Sequence, residues 1–402
     1  MSRPRWIAIG ALVLLLAVGP FVPRGGDRDD GAITPSGQQE YDARPAAAAG
    51  LGELTPAAAA EIDRVVGQGR RDTVAARATP AAQAAALTRC AEFEGQRYCL
   101  GTGWTRSTPA EVRSRVATEA RAAAQPVAGR ARRVERTGDL DTAARLRRTA
   151  ALTPAQRAAQ ERAELTAAAR SVAKVWLLRH ELQGVPLPAG FLERHPEARA
   201  IPGAAPVART SAKDYPPYAR VMKARQVSSQ TRTYWCGPTA MQMIAWGWRD
   251  KKRAQSRWAA RLGTTSDGTA ISSMVATINR STGWDRPDHA GPYIVLDIGD
   301  WSYRQWSRLL MKHIAVYRAP VVLHPILLKR FYPYLDDDAS GHFQVGRGYR
   351  QRPGKAMAIS YFEPWDQQRF DPSEPYIERV QWRSAYKSYR ANKAHPHQNI
   401  GV

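Results

Sequence analysis

The sequence predicts an α+β protein: a helix carrying Cys236 packed on an antiparallel sheet carrying His342, preceded by an Ala- and Arg-rich, mostly helical region. Three observations lead there. Residues 201–402 hold 9 of the 12 Trp and 13 of the 15 Tyr, and aromatic side chains bring the largest buried area per residue. The stretch CGPTAMQMIAWGW places Met241, Ile244, Ala245 and Trp248 at helical spacing behind Cys236. The stretch GHFQVGRGY alternates as a strand does, with His342, Gln344 and Gly346 on one face and Phe343 and Val345 on the other.

The chain starts with Arg3 and Arg5 ahead of an apolar run from Trp6 to Val22. A positive head and a short apolar stretch predict a signal peptide or signal anchor over 1–23. The expected location is therefore secreted or extracytoplasmic and membrane-anchored, with membrane contact only through this segment if it is uncleaved. Residues 24–52 are polar and rich in Gly, Pro and Ala, and read as a disordered linker.

Residues 53–183 read as a helical region. Thr108-Pro109-Ala110-Glu111 and Thr153-Pro154-Ala155-Gln156 have the form of capping boxes with Pro at the first helical position. Thr55-Pro56 and Thr79-Pro80 repeat the start without the reciprocal partner. A last helix is expected over about 154–183, with Leu165, Ala169, Val172 and Trp176 on one face. Cys90 and Cys99 lie close in sequence and, in an exported protein, predict a disulfide. Residues 184–212 hold five Pro among Gly and Ala and read as a linker to a packed domain over 213–402.

Charge and cysteine usage narrow the function classes. The net charge is +23, from 59 Lys+Arg against 36 Asp+Glu, and 49 of the basic residues are Arg. Together with the abundant Ala, that excess of Arg over Lys has the pattern of codon bias in a high-GC genome. No basic stripe or nucleic-acid motif accompanies it, so no nucleic-acid partner is expected. Three Cys cannot build a four-thiolate zinc site. His395-Pro396-His397 reads as a solvated tail and Asp336-Asp337-Asp338 as a solvated loop, so neither a metal site nor a cofactor is expected. No phosphate-binding Gly-x-x-x-x-Gly-Lys-Ser/Thr occurs.

The chemistry concentrates around Cys236, the cysteine left over from the pair. Pro238 suits a first helical turn, so Cys236 is expected at a helix mouth, where free N–H groups and the helix dipole lower a thiol pKa. A thiolate there needs a base. His342 is the candidate, and Glu363 in ISYFEPWDQ is the group to orient it, with Asp366 as the alternative acid. Gln230, six residues before Cys236, and the Cys236 N–H are candidate donors to an oxyanion.

Residues of about 220–402 resemble papain-like cysteine peptidases of the family 39-like type, whose members include bacteriocin-processing peptidases that cut after a double glycine. The resemblance rests on Gln230, Cys236-Gly237-Pro238-Thr239, DGTAISSMVATIN (267–279), YRAPVVL (317–323), GHFQVGRGY and the closing YFEPW. It implies Cys236 as nucleophile, His342 as base and Gln230 as oxyanion donor, with Glu363 where most relatives carry Asp. The expected function is an exported hydrolase that cleaves a peptide or amide bond in a peptide, protein or cell-envelope substrate. Two other readings remain: a catalytically silent papain-like binding module at the cell envelope, and a papain-fold amidase or acyltransferase acting on wall peptides.

Overall fold

A computed structural model describes residues 51–71, 78–124, 135–200 and 211–402. The expected signal segment 1–23 and linker 24–50 lie outside the described residues, as does 201–210 of the second linker.

The Thr-Pro pairs at Thr55, Thr79, Thr108 and Thr153 each start a helix: Pro56–Arg71, Pro80–Leu87, Pro109–Ala124 and Pro154–Ala169. Both capping boxes close. The Glu111 N–H donates to Thr108 Oγ1 at 3.2 Å while the Thr108 N–H donates to Glu111 Oε2 at 2.7 Å. Thr153 and Gln156 make the same exchange. The single helix expected over about 154–183 is instead two, Pro154–Ala169 and Val172–Gln183. The break falls at Arg170-Ser171, where the carbonyls of Thr166 and Ala168 cap the first helix. Two short helices, Phe191–Arg194 and Pro196–Ala200, occupy part of the Pro-rich stretch read as a linker.

The N-terminal half also contains strands that its composition does not announce: β1 (Cys90–Phe93), β2 (Gln96–Cys99) and β3 (Gly103–Thr105). The tight β1–β2 hairpin sets Cys90 opposite Cys99, and the two form a disulfide. The remaining strands are β4 (Tyr218–Arg220), β5 (Val295–Asp297), β6 (Val321–Leu323), β7 (Gln344–Arg352), β8 (Lys355–Phe362), β9 (Val380–Ser384) and β10 (Asn399–Gly401). They make one sheet in the order β1-β2-β3-β5-β10-β6-β7-β8-β9, with β4 paired to β7. Among these strand pairs β3–β5 alone is parallel, with Trp104 beside Leu296.

That junction joins the two halves. Trp104 is fully buried, edge-on to Phe93 and Tyr98, and it belongs to the same apolar cluster as the residues behind Cys236. Buried charges cross the same boundary. Lys174 Nζ donates to the Pro292 carbonyl at 2.8 Å, and Lys312 pairs with Glu181. Burying an amine is costly unless it is hydrogen-bonded, so these contacts fix how the helices sit on the sheet.

Candidate active site

The helix Cys236–Arg249 begins at Cys236, with Pro238 in its first turn, and buries Met241, Met243, Ile244 and Ala245. It packs against β7. His342 lies two residues before β7, and Glu363 directly follows β8. Antiparallel pairing of β7 with β8 therefore brings His342 and Glu363 to the same end of the sheet.

His342 Nε2 and Glu363 Oε1 are 2.7 Å apart, and both side chains are fully buried. The Glu363 carboxylate accepts three further hydrogen bonds: from the Trp365 N–H at 2.9 Å, from Gln344 Nε2 at 2.7 Å and from Tyr334 OH at 2.8 Å. Burial pushes the Glu363 carboxyl up. The His342 charge and the hydrogen bonds from His342, Trp365 and Tyr334 outweigh it and hold the group below the ordinary carboxylate range. With Nε2 engaged, Nδ1 is the ring nitrogen left without a hydrogen-bond partner among the described residues. The longer Glu side chain thus reaches the imidazole. The alternative acid, Asp366, pairs with Arg379.

Cys236 differs from the expectation of a lowered pKa. Burial pushes its thiol well above the ordinary range; the Phe343 and Gly237 amides pull it back, and the charges of Asp139 and Glu363 push it further up. The helix mouth is present, but complete burial near two carboxylates outweighs it. One of the two amides that interact with the sulfur, that of Phe343, is next in the chain to His342.

Gln230 is fully buried, and its amide is engaged. Nε2 donates to the carbonyls of Thr137, Arg232 and Thr233 at 3.2, 3.0 and 2.7 Å. The Thr137 contact belongs to a strap, residues 135–141, that crosses the site from the N-terminal half. The Ser340 N–H donates to the Glu135 carbonyl, Thr137 Oγ1 to the Gly341 carbonyl, and the Thr269 N–H to the Gly138 carbonyl, at 2.9, 2.8 and 2.9 Å. The strap runs between residues 265–269 and 339–341 and bonds to both, pairing parallel with Ala339 and Thr269 through single β-bridges at Glu135 and Asp139. Gly138 has φ +113°, and a Cβ there would come within 2.4 Å of Tyr234 backbone. A cavity of about 50 Å³ beside the strap, lined by Gly138, Asp139, Tyr234 and Gly341 among others, is far smaller than a peptide needs.

The His395-Pro396-His397 stretch is not a solvated tail. His395 is buried with Nε2 2.7 Å from Asp139 Oδ2, and His397 is half-buried against Thr142. The stretch leads into β10, an interior strand of the sheet, and that pairing draws it inward.

Sequence reasoning missed Gln344, Tyr334, Thr137 and Asp139. The alternation that puts Gln344 on the His342 face was the available signal for Gln344. The other three reach the site through loops with no periodic pattern.

Residues 214–394 match the Peptidase_C39 like family. The C-terminal part of this chain is a C39-like peptidase domain. The match covers the helix of Cys236, the His342 and Glu363 positions and most of the sheet; the strap, His395 and His397 fall outside it. No curated protein and no solved structure matches the chain.

Proposed function

We propose that the C39-like domain is a thiol hydrolase cleaving a peptide or amide bond, with Cys236 as nucleophile, His342 as base and Glu363 as the group that orients the base. The observation that carries this reading is the buried 2.7 Å contact between His342 Nε2 and Glu363, which leaves Nδ1 as the one ring nitrogen able to take a proton. Because the thiol is held in its neutral form, its proton passes to Nδ1 as sulfur attacks the carbonyl carbon. The oxyanion draws on the Cys236 N–H at the start of the helix. His342 returns the proton to the leaving amine, and water then releases the acyl group by the reverse transfer. The Glu363 carboxylate stabilises the imidazolium between these steps.

In this arrangement the strap occupies the groove that a substrate would use and holds the Gln230 amide. Turnover therefore requires residues 135–141 to lift, which removes one of the three carbonyls that hold the Gln230 amide, that of Thr137, and leaves those of Arg232 and Thr233. The disulfide and the N-terminal apolar run support a location outside the cytoplasm, where cell-envelope peptides are the accessible substrates.

The full burial of Cys236 and His342 favours a second reading, a catalytically silent binding module. A peptidyl vinyl sulfone library separates the two. The hydrolase forms an adduct at Cys236 that His342→Ala abolishes. Absence of any adduct or cleaved peptide, in the native chain and in a Gly138→Ala chain with the strap displaced, overturns the hydrolase and leaves the binding module.

A further inference from the structure

We propose that Asp139, His324 and His397 bind a divalent transition metal of the zinc type, with His395 holding the Asp139 carboxylate in place. One ligand atom from each of the four residues lies within 4.8 Å of all the others. Bond lengths of about 2.0–2.1 Å in a tetrahedral zinc site set ligand atoms about 3.3 Å apart. Side-chain adjustments of about 1.5 Å close the set around an ion.

Hydrogen bonds around the cluster place the lone pairs. Asn399 Nδ2 donates to the Thr102 carbonyl at 3.2 Å, which turns Asn399 Oδ1 toward His324 Nδ1, 2.7 Å away. The His324 proton therefore sits on Nδ1, and Nε2 carries a bare lone pair. That nitrogen is buried, has no hydrogen-bond partner among the described residues, and lies 3.5 Å from Asp139 Oδ2. Two lone pairs facing each other in a buried site call for a cation between them. Thr142 Oγ1 gives its proton to Glu119 at 2.9 Å and so accepts from His397 Nε2, also at 2.9 Å, which leaves the lone pair of His397 on Nδ1. His395 differs. Its Nδ1 accepts the His397 N–H at 3.0 Å, so its Nε2 proton goes to Asp139. Hydrogen-bonding groups behind ligating side chains orient a metal site, and the Asn399 amide, the Thr142 hydroxyl and the His395 imidazole serve here. The second Asp139 oxygen, Oδ1, is buried without a partner among the described residues.

The cluster is built against the backbone. A Cβ on Gly341 would fall 1.9 Å from Asp139 Oδ2 and 2.3 Å from His395 Nε2. Imidazole and carboxylate donors suit zinc, cobalt and nickel better than calcium or magnesium. Asp139 belongs to the strap and the three His to the segments around the sheet, so a bound ion ties the strap to the domain. The inference does not depend on hydrolase activity.

The test is calorimetric titration of the full metal-stripped chain with Zn²⁺, and with Co²⁺ for its visible absorption. One equivalent is expected, with affinity lowered about 10–100-fold or more in Asp139→Asn and in His397→Gln. His397 is half-buried, and Gln keeps an amide for Thr142, so that variant folds even where a change at buried His324 does not. Absence of stoichiometric binding overturns the proposal. So does binding that both variants retain, which places the ion elsewhere.

Discussion

At the residue scale, the site rests on one carboxylate with four donors. Glu363→Gln keeps the size but loses the charge and presents an N–H toward one of its present donors. We expect a fall of about 10²–10⁴-fold in turnover of any substrate found, measured as kcat/KM. The same carboxyl links stability to pH. Its folded pKa is depressed, so its contribution is complete above the ordinary Glu value of about 4.3 and is lost as pH falls through the lower folded value. Urea unfolding at pH 7 and pH 3 should show a loss in the native chain that Glu363→Gln reduces. Cys236 gives a second pH signature. With its thiol pushed up by burial and nearby carboxylates, iodoacetamide labelling should rise with a midpoint above the free-thiol value of about 8.5. A midpoint near neutrality would indicate a preformed thiolate.

At the scale of elements, the strap and the hairpin carry the tests. Gly138→Ala adds a Cβ at φ +113° against Tyr234 backbone, a change that strains the strap by about 1–2 kcal/mol or more. The strap should lift, and Cys236 should label faster with fold and secondary structure kept; an unchanged labelling rate would show that the strap does not gate the thiol. The Cys90–Cys99 bond closes a short loop in β1–β2, and its replacement by two Ser should cost about 2–3 kcal/mol by chain entropy, read from the denaturation midpoint. Local rules were legible here. Four Thr-Pro pairs started four helices because a hydroxyl cap and a preset φ act within a single turn. Strands β1 and β3 were not legible: each is only three or four residues long and takes its stability from neighbours far away in sequence.

At the scale of the whole molecule, the helical half and the C39-like domain share one sheet and one apolar core across the β3–β5 pair. Calorimetry of the full chain should show one cooperative transition for the region 51–402, whereas independent halves would give two. Lys312→Met, which leaves Glu181 buried opposite an apolar side chain, should destabilise by about 3–5 kcal/mol and shift that single transition as a unit.

The sequence by itself determined the fold class of the C-terminal domain, the helix of Cys236 and the pairing of Cys90 with Cys99. It also singled out His342 and Glu363, which the β7–β8 pairing brings to one end of the sheet. Each follows from short-range pattern: a period of 3.6 or 2, a cap, a spacing. Only the tertiary structure decided that Cys236 is buried and its thiol raised, that Gln230 is engaged by a strap, and that His395 and His397 turn inward beside Asp139. Those features depend on which charges and carbonyls meet between residues far apart in the chain, 93 positions apart for Gln230 and Thr137 and 256 for His395 and Asp139. Burial and electrostatics act through space and leave no periodic trace in the sequence.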